Sequence, residues 1–149
     1  MPSLADNRKA LYDYSLGEEL EVGIVLSGQE TKSAKMGGMR LRGSYAVIRD
    51  GALWLIGSYI TRYKPAGPLP DYDPERTRKL LAHRREVQKI MGRIAGERLT
   101  LIPIKAYTRS GKIKIALSLA RAKRAFEKRD AIRERDVSRE IARTIRRGK

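Results

Sequence analysis

Residues 20–35 read Leu20-Glu21-Val22-Gly23-Ile24-Val25-Leu26-Ser27-Gly28-Gln29-Glu30-Thr31-Lys32-Ser33-Ala34-Lys35, and the fold is decided in this stretch. In its first half Leu20, Val22, Ile24 and Leu26 alternate with Glu21, Gly23 and Val25. Successive side chains of a strand point to opposite faces, so a period of two predicts a strand with one buried face. From Gly28 the alternation lapses into polar residues that include Thr31, Lys32, Ser33 and Lys35. A short helix over 28–36 is predicted there, ended by Gly37-Gly38, where a left-handed cap needs no side chain. Burial and positive charge are therefore neighbours in the chain. The run Gly28-Gln29-Glu30-Thr31-Lys32-Ser33 is not a phosphate-binding loop, because such a loop needs a glycine directly before the lysine and Thr31 stands in that place.

Upstream, residues 7–14 carry the basic pair Arg8-Lys9 and then Tyr12 and Tyr14 at a spacing of two. The spacing predicts a strand with both rings on one face, either barrel core or a platform on which bases stack. Downstream, Arg40 and Arg42 flank Leu41, and strands over 45–49 and 52–60 surround Asp50-Gly51, a dipeptide suited to the positive φ angles of a tight hairpin. Trp54 falls in the second of these strands as a packing residue. Pro65, Gly67, Pro68 and Pro70 make 62–73 a loop.

Asp73-Pro74-Glu75 reads as a helix start, with a capping carboxylate, a proline that misses no donor and an acid near the positive end of the dipole. The helix that follows would place Leu80, Leu81, Val87, Ile90, Met91 and Ile94 on one stripe. Arg76, Arg78, Lys79, Arg84, Arg85 and Lys89 would lie outside, with Gly92 kinking or dividing the helix. His83 is the one histidine and has no second ligand beside it, so an ordinary polar role is expected for it. A strand over 99–107, with Pro103 marking an edge or bulge, turns at Ser110-Gly111. It returns over 112–119 with Ile113, Ile115, Leu117 and Leu119 inward and Lys112 and Lys114 outward, so one wall of the sheet is basic.

The expected architecture is mainly β, with about six strands, two or three helices and a basic C-terminal tail; the layout suits a small, partly open antiparallel barrel of the oligonucleotide-binding type, the alternatives being another small barrel or a sandwich. The barrel occupies residues 1–120 and the tail 121–149. The tail holds 12 basic and 5 acidic residues, net +7. On a helical wheel Phe126, Val137, Ile141 and Ile145 form a narrow apolar strip opposite Arg135, Arg139, Arg143 and Arg147, while Ile132 falls among the arginines. With so few large apolar groups the tail is expected to be disordered alone and helical on an RNA surface, the alternative being a solvated helix on the barrel.

The whole chain of 149 residues has 33 Lys and Arg against 17 Asp and Glu, a net charge of +16 that calls for a polyanionic partner. Nucleic acid is favoured over a membrane surface, because no apolar run reaches the roughly 20 residues of a spanning helix. The opening Met-Pro-Ser-Leu-Ala-Asp lacks the layout of a secretory leader, which points to the cytoplasm. The absence of cysteine excludes disulfides, thiolate zinc sites and cysteine nucleophiles. A metal-dependent nuclease built on Asp71, Asp73 and Glu75 explains those acids less well than a helix start does. No metal, cofactor or catalytic residue is expected.

The segment from Val22 to Ser33 resembles the signature A-G-I-x-L-x-G-x-E-V-K-S of the small protein B family, the SsrA-binding proteins, departing from it at Val22 and Thr31. Further motifs follow in the family's order. They are Asn7-Arg8-Lys9-Ala10, Gly43-Ser44-Tyr45, the run from Asp73 to Leu81, Thr100 to Tyr107, and the tail segment from Glu127 to Asp136. The resemblance implies a non-enzymatic adaptor that grips the tRNA-like domain of transfer-messenger RNA and promotes its alanylation. It would deliver that RNA to stalled 70S ribosomes, meeting alanyl-tRNA synthetase and elongation factor Tu through the RNA.

By family position Asn7, Glu21 and Leu81 contact RNA, and with Arg8, Lys9, Gly23, Lys32, Arg40, Lys112 and Lys114 they form the expected RNA-binding set. Glu21 either accepts a hydrogen bond from the RNA or pairs with a neighbouring arginine. The resemblance sends the tail into the empty messenger channel, through Ala122, Lys123, Arg124, Phe126, Glu127, Lys128, Arg129, Ile132, Arg135, Arg139 and Arg143. Ala122 stands where the family has a hinge glycine, and Glu127 where it has Asp. A structural ribosomal-type protein or a general RNA chaperone is the alternative.

Overall fold

The structure is a computed structural model and describes residues 3–123. Among the described residues nine strands and three α-helices follow one another, with a single 3-10 turn at Lys64–Ala66. The strands are β1 (Ser3–Asp6), β2 (Tyr14–Ile24), β3 (Met39–Arg40), β4 (Tyr45–Arg49), β5 (Ala52–Ile56), β6 (Tyr59–Ile60), β7 (Arg78–Leu81), β8 (Thr100–Arg109) and β9 (Lys112–Ala122). The helices are α1 (Arg8–Asp13), α2 (Gly28–Lys35) and α3 (Arg84–Glu97).

Every strand pairing is antiparallel. The main sheet runs β1-β8-β4-β5-β7-β2-β9, and β8 also pairs with β9, so six strands return on themselves in a nearly closed ring. The seams are uneven. β8 and β9 share nine residue pairs and β2 and β9 eight, whereas β4 meets β8 only at Ala46 and Leu101. Inside the ring the alternation of the strands converges on Val22, Leu53, Leu55, Leu80, Leu101, Ile113, Ile115 and Leu117, all buried, with Val87 and Ile90 of α3 packed against them. The hairpin at Asp50-Gly51 forms as expected, with φ of 54° and 76°. The irregularity at Pro103 is also present, as a register shift between Pro103 and Lys105.

α2 ends as the sequence predicts, with Gly37 at φ 88°. Its start is a capping box: Ser27 Oγ accepts from the Glu30 amide and Glu30 accepts from the Ser27 amide at 2.9 Å. The Glu30 carboxylate is at the same time the centre of a buried ion cluster. Arg78 Nε and Nη2 donate to Glu30 Oε2 at 2.9 and 2.7 Å, and Arg76 donates to both oxygens. The other Arg78 donors reach the Ser58, Arg76 and Pro74 carbonyls and Ser58 Oγ at 3.0–3.1 Å. Glu30 and Arg78 are fully buried, which is affordable only because each donor and each lone pair finds a partner.

Four expectations fail. The strand over 52–60 is two, β5 and β6, parted at Gly57 with φ 83° and paired in different sheets. Residues 7–14 are not one strand. Asn7 is buried and ends β1, its amide donating to Ile104 O, and Arg8–Asp13 then turns as a helix that buries Ala10 and sets Lys9 3.9 Å from Asp13. Tyr12 and Tyr14 thus lie in different elements. No helix starts at Asp73, because Asp73 to Arg76 is a turn closed by Arg76 N to Asp73 O, and β7 follows with Arg78 and Leu80 in and Lys79 and Leu81 out. Counting Arg78 as an outer cation hid this alternation, for its charge is neutralised inside. Finally, α3 begins only at Arg84 and runs through Gly92 without division.

Burial raises the Glu30 carboxyl, but hydrogen bonds from Arg76, the Ser27 amide and Arg78 overcome that and hold it down at about 2. A carboxyl depressed on folding stabilises above its unfolded value and loses that contribution as pH falls toward the folded one. Glu30 therefore contributes on the order of 3 kcal/mol at neutral pH. Urea unfolding at a series of pH values should show this contribution intact above about pH 4.5 and falling away toward pH 2. Glu30→Gln should flatten that part of the profile. Glu30→Ala should cost about 3–5 kcal/mol, and Arg76→Ala about 1 kcal/mol, since Arg76 is partly exposed and Arg78 stays in place.

Candidate nucleic-acid interface

Four adjacent strands, β7, β2, β9 and β8, present one outer wall. The alternation that sends Ile113, Ile115 and Leu117 inward turns Lys112 and Lys114 out. The shift after Pro103 sets the phase of β8 so that Lys105, Tyr107 and Arg109 face the same way. β2 contributes Glu21 and Gly23, and β7 contributes Leu81. The register brings them together: Gly23 pairs with both Leu81 and Lys114, and Lys114 pairs with Tyr107.

Leu81 and Lys114 both lie beside Gly23: a Cβ built there would be in ordinary contact with Leu81 Cβ at 3.4 Å and Lys114 Nζ at 3.7 Å. Leu81 is 53% exposed, an unusual setting for a leucine that leaves an apolar knob among cations. A shallow concavity beside it is lined by Glu21, Gly23, Leu81, Ala82, His83, Glu86 and Lys114.

Glu21 has the neighbouring arginine that one of its two expected roles calls for: Arg109 Nη1 lies 2.8 Å from its Oε2. The adjoining Tyr107 phenol, with Arg109 and Lys114, holds its carboxyl below the usual carboxylate value. Burial and the adjoining Glu21 push the Tyr107 phenol up to about 12, so it remains a donor throughout the physiological range.

Of the ten residues expected to contact RNA, the structure unites Glu21, Gly23, Leu81, Lys112 and Lys114 on this wall. The other five have different neighbours. Lys32 lies over the Tyr63 ring at 5.8 Å and Arg40 over Tyr59 at 6.0 Å. Arg8 and Lys9 are exposed on α1, and Asn7 is 4% exposed with Nδ2 donating to Pro103 O at 2.8 Å. Of the tail positions, Ala122 pairs with Tyr14 as the last residue of β9. Lys123 N donates to Asp13 O at 2.9 Å and its Nζ to Leu11 O at 3.1 Å. Arg124, Phe126, Glu127, Lys128, Arg129, Ile132, Arg135, Arg139 and Arg143 lie outside the described residues.

Sequence reasoning missed Lys105, Tyr107 and Arg109, although their spacing of two after Pro103 repeats the signal that found Lys112 and Lys114. His83, expected to have an ordinary polar role, borders the concavity. Among the described residues no three His, Cys, Asp or Glu side chains gather as a metal site. Asp73 instead accepts from the Glu75 amide at 2.9 Å within its turn. No described helix is long and apolar enough to cross a membrane.

The model of the SmpB protein family matches residues 4–147. An SsrA-binding protein of Sulfurihydrogenibium sp. (strain YO3AOP1) is 43% identical over 143 residues, covering 96% of this chain and 93% of the relative. One of Persephonella marina (strain DSM 14350 / EX-H1) is 45% identical over 139 residues, covering 93% and 91%. A chain in the solved structure "tmRNA-SmpB: a journey to the center of the bacterial ribosome" superposes with a TM-score of 0.67 at 40% identity, over 86% of this chain and 93% of that one. With its signature, its motif order and its length all matched, the chain belongs to the SmpB protein family.

Proposed function

We propose that the chain is the SsrA-RNA-binding adaptor of trans-translation: it holds transfer-messenger RNA by its tRNA-like domain and acts with it on stalled ribosomes. The observation that carries the reading is the match over nearly the full length to SsrA-binding relatives. The outer wall supplies a physical means. Lys105, Arg109, Lys112 and Lys114 attract phosphate in a salt-dependent way, while Leu81 and Glu21 offer an apolar contact and a hydrogen-bond acceptor that a bare backbone does not use. Folded RNA is told apart by shape and by 2′-hydroxyl and base edges, and a mixed surface of this kind suits it better than a purely cationic one. The work is binding, with no bond made or broken by the protein.

In this reading the ring of strands is a barrel of the oligonucleotide-binding type, which β9 carries past 120 to Ala122. The segment beyond Lys123 is a ribosome-directed tail that enters the empty messenger channel. Alanyl-tRNA synthetase and elongation factor Tu are met through the bound RNA, and the work is done in the cytoplasm. Lys123, tied to the end of α1, is the root from which the tail departs.

Titration of labelled SsrA tRNA-like domain, ordinary tRNA and duplex RNA at near-physiological salt should rank the first tightest. Equal affinities would replace the adaptor with a general RNA-binding protein or chaperone. Lys112→Ala combined with Lys114→Ala should reduce the slope of log K against log salt by about 2, read from the same titrations at three or more salt concentrations. Truncation after Lys123 keeps β9 whole, so it should leave free-RNA binding within about threefold of the full chain while abolishing tagging on stalled ribosomes in a reconstituted translation assay.

A further inference from the structure

We infer that Tyr107 is a positioning residue of the RNA interface: with Arg109 it fixes the Glu21 carboxylate so that its remaining lone pairs face a hydrogen-bond donor of the folded RNA, a ribose 2′-hydroxyl or a base amino group. The inference rests on the RNA-binding reading above and assigns work to a side chain that lines the same depression as the carboxylate.

The register gives the reason. Glu21 on β2 and Tyr107 on β8 lie on either side of β9, where Glu21 pairs with Ala116 and Tyr107 with Lys114. An aromatic side chain reaches a diagonal neighbour across a sheet, but only if nothing bulky stands between. Ala116 is the residue between, and its methyl lines the same depression as Glu21, Tyr107, Lys105 and Ser3. The ring itself is held from the far side by Lys105 Nζ, 5.4 Å from its centroid.

A carboxylate has about four lone-pair sites. Arg109 occupies one of them, the Tyr107 hydroxyl in the same depression is placed by the inference on a second, and with the Glu21 side chain 33% exposed the others open to solvent. A carboxylate so placed repels a phosphate that approaches it and accepts a hydroxyl or amino hydrogen. The clasp thus selects a donor-bearing edge within an otherwise cationic wall, and so contributes discrimination rather than overall attraction. Tyrosine is suited to this work because its hydroxyl adds a hydrogen bond without adding charge, leaving the count of phosphate contacts unaltered.

The test uses the full chain. Tyr107→Phe, Glu21→Gln and the double variant are titrated with the SsrA tRNA-like domain and with a duplex of equal length, at several salt concentrations, and their urea midpoints are recorded. Tyr107→Phe should weaken binding to the tRNA-like domain by about 5–10-fold and leave duplex binding and the salt slope unchanged. In the Glu21→Gln background it should cause no further loss. An equal loss in both backgrounds, an equal loss for both RNAs, or no loss at all would overturn the inference.

Arg109→Ala, which leaves the inner face of β8 untouched, provides a second reading if the phenylalanine variant shifts the urea midpoint. It should lower discrimination in the native background but not in Glu21→Gln, and a loss in both would again overturn the inference. Failure of the unaltered chain to prefer the tRNA-like domain would instead remove the reading beneath it, so the two failures are distinct.

Discussion

One buried ion cluster organises the molecule. Glu30 stands at the start of α2, Arg78 at the start of β7, and the backbone between them loops out through Ser58, Tyr72 and Pro74, all of which accept hydrogen bonds from the same guanidinium. A lone buried charge would cost several kcal/mol, whereas a charge with every donor and lone pair matched is tolerated and confers geometric specificity. Because the partners come from four separate segments, the cluster forms only when α2, the loop and β7 are in their final places. It ties a proline-rich stretch with little regular structure to the ring.

That constraint reaches the outer wall through β7. With Arg78 and Leu80 committed inward, Lys79 and Leu81 must face out, and the pairing of Leu81 with Gly23 sets the leucine against Lys114. The opposite edge of the wall is set by the shift at Pro103, where Asn7 Nδ2 binds the Pro103 carbonyl and its backbone amide binds the next. Asn7 therefore supports the wall from inside, by holding the strand that carries Lys105, Tyr107 and Arg109. In the function proposed for it, a wall built in this way combines cations that attract any RNA with a few groups, Glu21 and Leu81 among them, that reward a particular shape.

The legibility of the fold followed the physics of each segment. Period-two alternation was plain in 20–26 and 112–119, where one face is buried and the other wet, and the hairpin at Asp50-Gly51 was plain because its φ angles demand those residues. The strand at Arg78–Leu81 was misread, because alternation is judged by polarity and a neutralised arginine counts as polar wherever it sits. Residues 7–14 were misread because a helix of six residues that buries a single alanine offers almost no period to detect. Half of the expected RNA-contacting residues met on one wall, and its remaining members went unnoticed because the register of β8 against β9 places them there.

The sequence by itself determined that the chain is a cysteine-free, mainly β body with a strongly basic balance, and its motif order identified the family. These are properties of local pattern, total charge and motif spacing, which need no knowledge of distant neighbours. Only the tertiary structure decided that Glu30 is neutralised by Arg76 and Arg78, that Asn7 is held in the interior, and that Glu21 is paired with Arg109. In each case the partner lies 46 or more residues away in sequence, and whether a charged or polar side chain is buried, paired or free depends on what the closed ring of strands sets beside it.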